Sequence, residues 1–258
     1  MKIIKTTNEM KNIRKKLKKS IGFIPTMGAV HEGHLSLIKK ARKENDYIIV
    51  SIFVNPTQFN DKNDFKRYPR NIKKDIKLIK PLGVDYLFLP SYNEIYPDRY
   101  RYRVIENDFS NKLCGKFRPG HFEGVLTVVM KLLNIVKPQK AYFGEKDFQQ
   151  YLLVKGMCEA FFMDTKIIPC PIIRDKNGLA LSSRNLLLSE TGREKASLIY
   201  KTITKNISDK KVKEILEKNG FRVEYVETIK GRRFIAAYLE NIRLIDNVKL
   251  RRWSWIKT

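Results

Sequence analysis

Cysteine is scarce in this sequence, and so are histidine and acidic side chains. Cys114, Cys158 and Cys170 are odd in number, widely spaced and free of any C-x-x-C pair, which excludes a disulfide framework and a zinc knuckle and leaves packing as their role. No stretch reaches the roughly 18 apolar residues that span a bilayer. Met1-Lys2-Ile3-Ile4-Lys5 runs into a polar, lysine-rich helix without a secretory core, so a cytoplasmic protein with no membrane partner is expected. The P-loop and the dinucleotide G-x-G-x-x-G are both missing. Acid is outnumbered, with 27 Asp plus Glu against 52 Lys plus Arg, a formal charge of +25 that favours anionic ligands. The lysines (Lys11, Lys15, Lys16, Lys18, Lys19, then Lys210, Lys211, Lys213, Lys218) are spread over nearly every expected helix. They are not interleaved with aromatics in one stripe, so they read as solvated helix faces and no dedicated nucleic-acid partner is expected.

Of the three histidines, two fall together in Pro25-Thr26-Met27-Gly28-Ala29-Val30-His31-Glu32-Gly33-His34. Ile21-Gly22-Phe23-Ile24 before them reads as a short buried strand, Pro25 and Gly28 mark a turn, and Leu35, Leu37, Ile38 and Ala41 form one apolar helix face. His31 and His34 therefore sit where a helix begins. Unpaired N–H groups and a partial positive charge suit a phosphate there, and glycines permit close backbone approach. Loop or cap histidines are the plainer alternative. A zinc pair is disfavoured, because the helical motif H-E-x-x-H needs a spacing of four and here it is three.

At 258 residues the chain is long enough for a domain plus a smaller lobe. Apolar runs at 47–54, 72–79, 84–89, 122–136, 141–143, 148–161 and 167–173 give an alternating strand and helix pattern. Continuous apolar strands mean burial on both faces, so an α/β fold is expected, a parallel sheet with helices on both faces that binds ligands at its carboxyl ends. Beyond Ile173 the pattern changes to helices around 190–206 and 210–218 and short strands at 223–227, 233–239 and 242–245. A boundary near residue 174 follows, giving domains 1–174 and 175–258, the second a smaller α+β lobe.

Four further segments stand where strands hand over to loops. Ser51–Phe59 ends a buried strand in the amides Asn55 and Gln58; Phe143–Gln150 joins Gly144 to Lys146 and Asp147; Arg174–Asn185 ends in Ser182-Ser183-Arg184; and Arg118–Gly124 holds His121 between glycines. Each residue has an ordinary reading as a turn or cap. Together they supply hydrogen-bond donors and cations around one anion.

These segments (PTMGAVHEGHLSL, SIFVNPTQF with RYPR, RPGHFEGVLTVV, FGEKDFQQ and NGLALSSRN) occur in the order found in the pantothenate synthetases, which this sequence resembles nearly continuously over residues 20–190 and again at 223–227 and 243–247. The resemblance implies membership of the HxGH nucleotidyltransferase superfamily, with a Rossmann-like domain, a C-terminal lobe that closes over ATP, and a homodimer. It also implies ATP-dependent joining of pantoate to β-alanine through pantoyl adenylate, with release of pyrophosphate and AMP and help from Mg2+. It places ATP against Met27, Gly28, His31, Gly33, His34, Gly144, Glu145, Lys146, Asp147, Ile173, Leu181, Ser182, Ser183 and Arg184. Pantoate falls to Gln58 and Gln150, with Asn55 and Tyr68 lining the pocket, and no side chain is expected as a metal ligand.

The residue types suit that chemistry. His31, His34, Lys146 and Arg184 meet the charge that builds on the α-phosphate and the departing pyrophosphate. The attacking carboxylate needs alignment rather than activation. Glutamines orient it, whereas a bidentate arginine would neutralise it. For the second step, His34 is expected to carry the amine's proton and Arg118 or His121 to meet the β-alanine carboxylate from a covering loop. Against the family pattern the chain is short between Asn185 and Val223 and between Glu227 and Arg233, so the C-terminal lobe reads as trimmed. Other HxGH transferases and a tRNA-ligase fragment are disfavoured by Gln58 and Gln150, and a non-enzymatic RNA binder rests on charge alone.

Overall fold

The computed structural model describes residues 1–250; residues 251–258 of the expected C-terminal lobe lie outside the described residues. The chain divides into two compact units, Met1–Ile173 and Arg174–Thr258. In chain order the first contains β1 (Lys2–Ile4), α1 (Thr7–Lys16), β2 (Ile21–Thr26), α2 (Glu32–Glu44), β3 (Tyr47–Ile52), α3 (Lys62–Arg67), α4 (Ile72–Ile79), β4 (Tyr86–Phe88), α5 (Tyr92–Ile95), α6 (Cys114–Phe117), α7 (His121–Val136), β5 (Lys140–Gly144), α8 (Phe148–Ala160) and β6 (Lys166–Cys170).

Six strands form one parallel sheet in the order β1-β4-β3-β2-β5-β6. From β2 the chain winds outward through β3 to β4, then returns to lay β5 and β6 on β2's other side. The order therefore reverses between β2 and β5, and an open α/β sheet offers its ligand crevice at such a point, beyond the carboxyl ends. β2 stays paired with β3 as far as Thr26↔Ile52 but with β5 only as far as Phe23↔Ala141. Pro25, which has no N–H to give, lies past the last β2–β5 pair, where no bond of that ladder is lost.

Ile21, Phe23 and Ile24 on β2 and Ile48, Ile49 and Val50 on β3 are fully buried, as strands covered on both faces require. The helix α2 contributes Leu35, Leu37, Ile38 and Ala41 to the core beside Ile24, Ile48 and Val50. The helix α7 is apolar on nearly every side, and twelve of its residues from His121 to Val136 are buried, so it is a central packing element rather than a surface helix.

The second unit holds α9 (Glu190–Ala196), α10 (Leu198–Ile203), α11 (Asp209–Lys218), β7 (Arg222–Ile229), β8 (Arg232–Leu239) and β9 (Ile242–Lys249). Its strands form an antiparallel sheet in sequence order. The helical stretch expected over 190–206 is broken at Ser197, whose Oγ donates to the Glu194 carbonyl at 2.7 Å, a back-bond that bends helices. The two strand connections are two residues long, with positive φ at Lys230 and Gly231 and again at Glu240 and Asn241. Such left-handed pairs are the tightest hairpin turns available, which is how the short sequence after Glu227 still closes a sheet. Arg233 is buried, pairs with Asp209 at 2.7 Å and donates to the carbonyls of Ile203 and Lys205 at 3.0 and 2.9 Å. Arg174 meets Asp246 through two bonds of 2.6 and 2.8 Å.

One contact fixes the turn that leaves β2. Gly28 and Ala29 both have left-handed backbone, with φ +81° and +50°, a conformation that alanine adopts at a cost of about 1 kcal/mol. Asp75 of α4, 1% exposed, holds them there by accepting from Ala29 N–H at 3.0 Å and Val30 N–H at 2.8 Å. A Cβ at Gly28 would meet Ile52 Cγ2 at 2.9 Å and Asp75 Oδ2 at 3.0 Å, so glycine is required by space as well as by φ. Replacing Asp75 with Ala strands two buried donors, and urea unfolding is expected to show a loss of about 3 kcal/mol; a variant as stable as the parent would remove Asp75 from this role.

Candidate active site

The helix α2 starts with imidazoles in place of the usual hydroxyl or carboxylate caps. His31 is the N-cap, and its Nδ1 accepts from Gly33 N–H at 3.1 Å, while His34 Nδ1 accepts from His31 N–H at 3.4 Å, a reciprocal capping box. A nitrogen that accepts carries no proton, so both neutral rings are Nε2–H tautomers, and each has its Nε2–H left to donate. The ring centroids are 4.2 Å apart. A Cβ on Gly33 would meet the His31 ring at 2.8 and 2.9 Å, so the second glycine of the motif makes room for the first cap.

Burial, reinforced by nearby positive charge, enforces the neutral state. Burial and the Lys146 ammonium lower the His31 pKa to about 4 against an upward pull from Asp147, and burial, His31 and Lys146 lower His34 to about 3. In the single turn after β5, Lys146 lies near both histidines that follow β2, and Asp147 near His31. The strands flanking the reversal of the sheet thus supply a pair of neutral donors from one side and an ammonium from the other. Gly144 opens that turn, and a Cβ there would meet nothing within 4 Å. The helix α8 begins just after it, with Gln150 half-buried and Gln149 turned inward on the carbonyls of Phe109 and Lys112 at 2.8 and 2.7 Å.

A third group follows β3. Asn55, 1% exposed, donates from Nδ2 to Gln58 Oε1 at 3.0 Å and to the Gly124 carbonyl at 3.1 Å. Its Oδ1 accepts from Tyr96 OH at 2.9 Å and from Thr57 Oγ1 at 3.0 Å. With Oε1 held by Asn55, the Nε2 amino group is the donor end of Gln58. Tyr68 is buried with its ring edge-on to Phe59, centroids 5.7 Å apart. Met27 and Gly28 also border a cleft with Val54, Arg70, Leu89 and Pro90 along the ends of β2, β3 and β4, which neither His31 nor His34 lines.

Three sequence expectations gain structural detail. Asn55 engages both its polar atoms within the protein, Nδ2 on Gln58 and Gly124 and Oδ1 on Tyr96 and Thr57. His34 does not fit the role of proton acceptor: Nδ1 is taken by a backbone N–H, Nε2 carries the proton, and a pKa of about 3 opposes a charged ring. Arg118 and His121 are not a free carboxylate clamp, since both side chains bond to the Gln58 turn. Ile173 ends the first unit, while Leu181, Ser182, Ser183 and Arg184 lie in the second, where Ser182 Oγ accepts from Arg184 N–H at 3.2 Å and Ser183 is buried. Asp75 and Tyr96 were not anticipated. A carboxylate within the apolar 72–79 run was the available signal for Asp75; nothing in the sequence marks Tyr96.

A parallel sheet whose order reverses beside an HxGH helix start, with the Lys146 charge near enough to lower both imidazole pKa values, defines an α/β protein with a helix start suited to an anion. The model of the pantoate-beta-alanine ligase family matches residues 2–249, and the chain belongs to that family. Similar relatives include the pantothenate synthetase of Bdellovibrio bacteriovorus, 51% identical over 248 residues covering 96% of this chain and 99% of the relative. That of Legionella pneumophila strain Lens is 51% identical over 252 residues covering 97% and 100%. The crystal structure of pantoate-beta-alanine ligase from Francisella tularensis, complexed with beta-gamma ATP and beta-alanine, matches with a TM-score of 0.93 at 46% identity over 96% of this chain and 97% of that chain. Because the two relatives are covered almost end to end, the C-terminal lobe that reads as trimmed is not cut short against them.

The lowered histidine pKa values make stability depend on pH with a definite sign. A folded pKa below the unfolded value of 6.5 means that the unfolded chain takes up the proton first, so this contribution is complete above pH 6.5 and is lost as pH falls toward about 4 and 3. Urea midpoints measured from pH 7 to pH 4 should fall more steeply for the parent than for His31→Asn/His34→Asn, in which amide oxygens keep the caps without titrating. Equal slopes would contradict the shifts.

Proposed function

We propose that this chain condenses pantoate with β-alanine at the expense of ATP, through pantoyl adenylate, releasing pyrophosphate and AMP. The observation that carries the reading is the pair of neutral Nε2–H imidazoles at the start of α2 with Lys146 beside them. The triphosphate lies against this helix start and the Gly144–Asp147 turn. Neutral donors and the Lys146 ammonium stabilise the charge that gathers on the α-phosphate and the leaving pyrophosphate. No covalent enzyme intermediate is needed, because the pantoate carboxylate is ionised and requires only alignment.

Gln58 and Gln150 provide that alignment. An amide N–H orients a carboxylate oxygen while leaving it nucleophilic, whereas a guanidinium would hold both oxygens and draw off their charge. The amine of β-alanine then attacks the mixed anhydride as its free base. Among the described residues no three His, Cys, Asp or Glu side chains converge on a metal position. Mg2+ would be held chiefly by the phosphate oxygens, as is usual for this ion in nucleotide sites. The Mg2+ would supply counter-charge to the polyphosphate. A homodimer is the proposed assembly. A cytoplasmic setting is the proposed location, in keeping with Cys114, Cys158 and Cys170, all buried and none in a disulfide.

Pantoate-dependent exchange of labelled pyrophosphate into ATP, in the absence of β-alanine, tests the reading: exchange is expected with pantoate and Mg2+, and a folded sample showing none would refute it. In the Gln58→Arg variant pantoate should still bind, while single-turnover adenylation should fall by about 100-fold, the scale of losing one oriented transition-state contact. Adenylation at the parent rate would refute the argument for an amide.

A further inference from the structure

Gln58 can present its amino group only if its own backbone is held, and the residues that hold it come from the start of α7. Gly124 packs so closely on the Pro56–Gln58 turn that a Cβ there would meet Thr57 O at 2.6 Å and Gln58 N at 2.8 Å. The chain enters α7 through Gly120 in the left-handed region, φ +77°, and the His121 N–H bonds back to the Arg118 carbonyl at 3.0 Å, which sets the two side chains together. His121 Nδ1 then lies 2.8 Å from the Gln58 carbonyl, Arg118 Nη2 donates to that same oxygen at 3.2 Å, and Arg118 Nη1 lies 3.0 Å from His121 Nε2.

The protons in this triangle are determined by elimination. A guanidinium only donates, so His121 Nε2 accepts; a carbonyl only accepts, so His121 Nδ1 carries the hydrogen. His121 is thus the Nδ1–H tautomer, opposite to His31 and His34, and its 8% exposure keeps water from replacing the bond. The Gln58 carbonyl receives two donors, one of them charged, while Asn55 fixes the Gln58 side chain through Oε1 at 3.0 Å. Backbone and amide of one residue are clamped independently.

We propose that His121 and Arg118 are positioning residues for the acid substrate, acting through the Gln58 carbonyl to aim the Gln58 Nε2 group; this rests on the reading that Gln58 binds pantoate. Residues that fix the direction of a single donor set affinity for the group that donor meets and leave the nucleotide, held by other elements, unaffected.

The test is equilibrium binding of pantoate and, separately, of ATP to the full chain carrying His121→Leu, His121→Asn or Gln58→Ala, with thermal melting as the folding control. Asparagine places an amide N–H near the position of Nδ1 and an acceptor toward Arg118. His121→Leu is expected to weaken pantoate about tenfold, the scale of one misdirected hydrogen bond, with ATP affinity unchanged, and His121→Asn to recover most of that loss. Should His121→Leu fail to fold, Arg118→Met, which removes a donor from the same carbonyl, carries the comparison with a smaller loss expected. Parent affinity for pantoate in the folded variants, equal loss in Leu and Asn, or parallel loss of ATP would each overturn the proposal. Parent affinity in Gln58→Ala would overturn the reading beneath it as well, and that variant alone reports it.

Discussion

A backbone N–H donating to an imidazole nitrogen, made twice at the start of α2, is the constraint on which the site depends. Hydroxyl or carboxylate caps would satisfy the same helix end equally well. Imidazole caps do something further: by using up Nδ1 they leave each ring with one function, an Nε2–H, and burial beside Lys146 keeps the ring from charging. The consequences spread outward. Gly33 must lack a Cβ because the His31 ring occupies that space, Gly28 must lack one because Ile52 and Asp75 do, and Asp75 must be buried to hold the left-handed turn that delivers His31 to the cap position.

The same economy recurs at Gln58. Its side chain is directed by Asn55, which is in turn fixed by Tyr96, Thr57 and the Gly124 carbonyl, while its main chain is held by Arg118 and His121. Two groups on different loops, the imidazole pair and a glutamine amide, are thereby placed by buried partners. Each partner saturates one end of a bifunctional group so that only the other end can act. Preorganised donors of this kind stabilise developing charge without first having to reorient.

Much of this was legible in the sequence, for identifiable reasons. Uninterrupted apolar runs at β2 and β3 can only be buried on both faces, which forces a parallel sheet with helical cover. His31 and His34 stood out because a strand, a glycine turn and an amphipathic helix bracket them. The helix at 72–79 was readable from its apolar spacing, but the purpose of its one buried carboxylate was not, because the partners of Asp75 are backbone N–H groups 45 and 46 residues away. The bonding of Asn55 and His34 was not legible for a related reason: a residue type states what a side chain can bond, and only the fold decides which of its atoms are already bonded. The short C-terminal lobe read as a loss, while two-residue left-handed turns let the same residues close a complete three-stranded sheet.

With only three histidines in the chain, the tautomers can be read individually, and they bear on the central claim more directly than any activity. The measurement is a two-bond nitrogen–proton NMR spectrum of uniformly nitrogen-15-labelled protein at pH 7, assigned by single histidine-to-asparagine substitutions. The account requires two neutral Nε2–H rings, His31 and His34, that stay neutral down to about pH 5, and one Nδ1–H ring, His121. An imidazolium at His31 or His34 near neutrality, or an Nδ1–H tautomer at either, would contradict it.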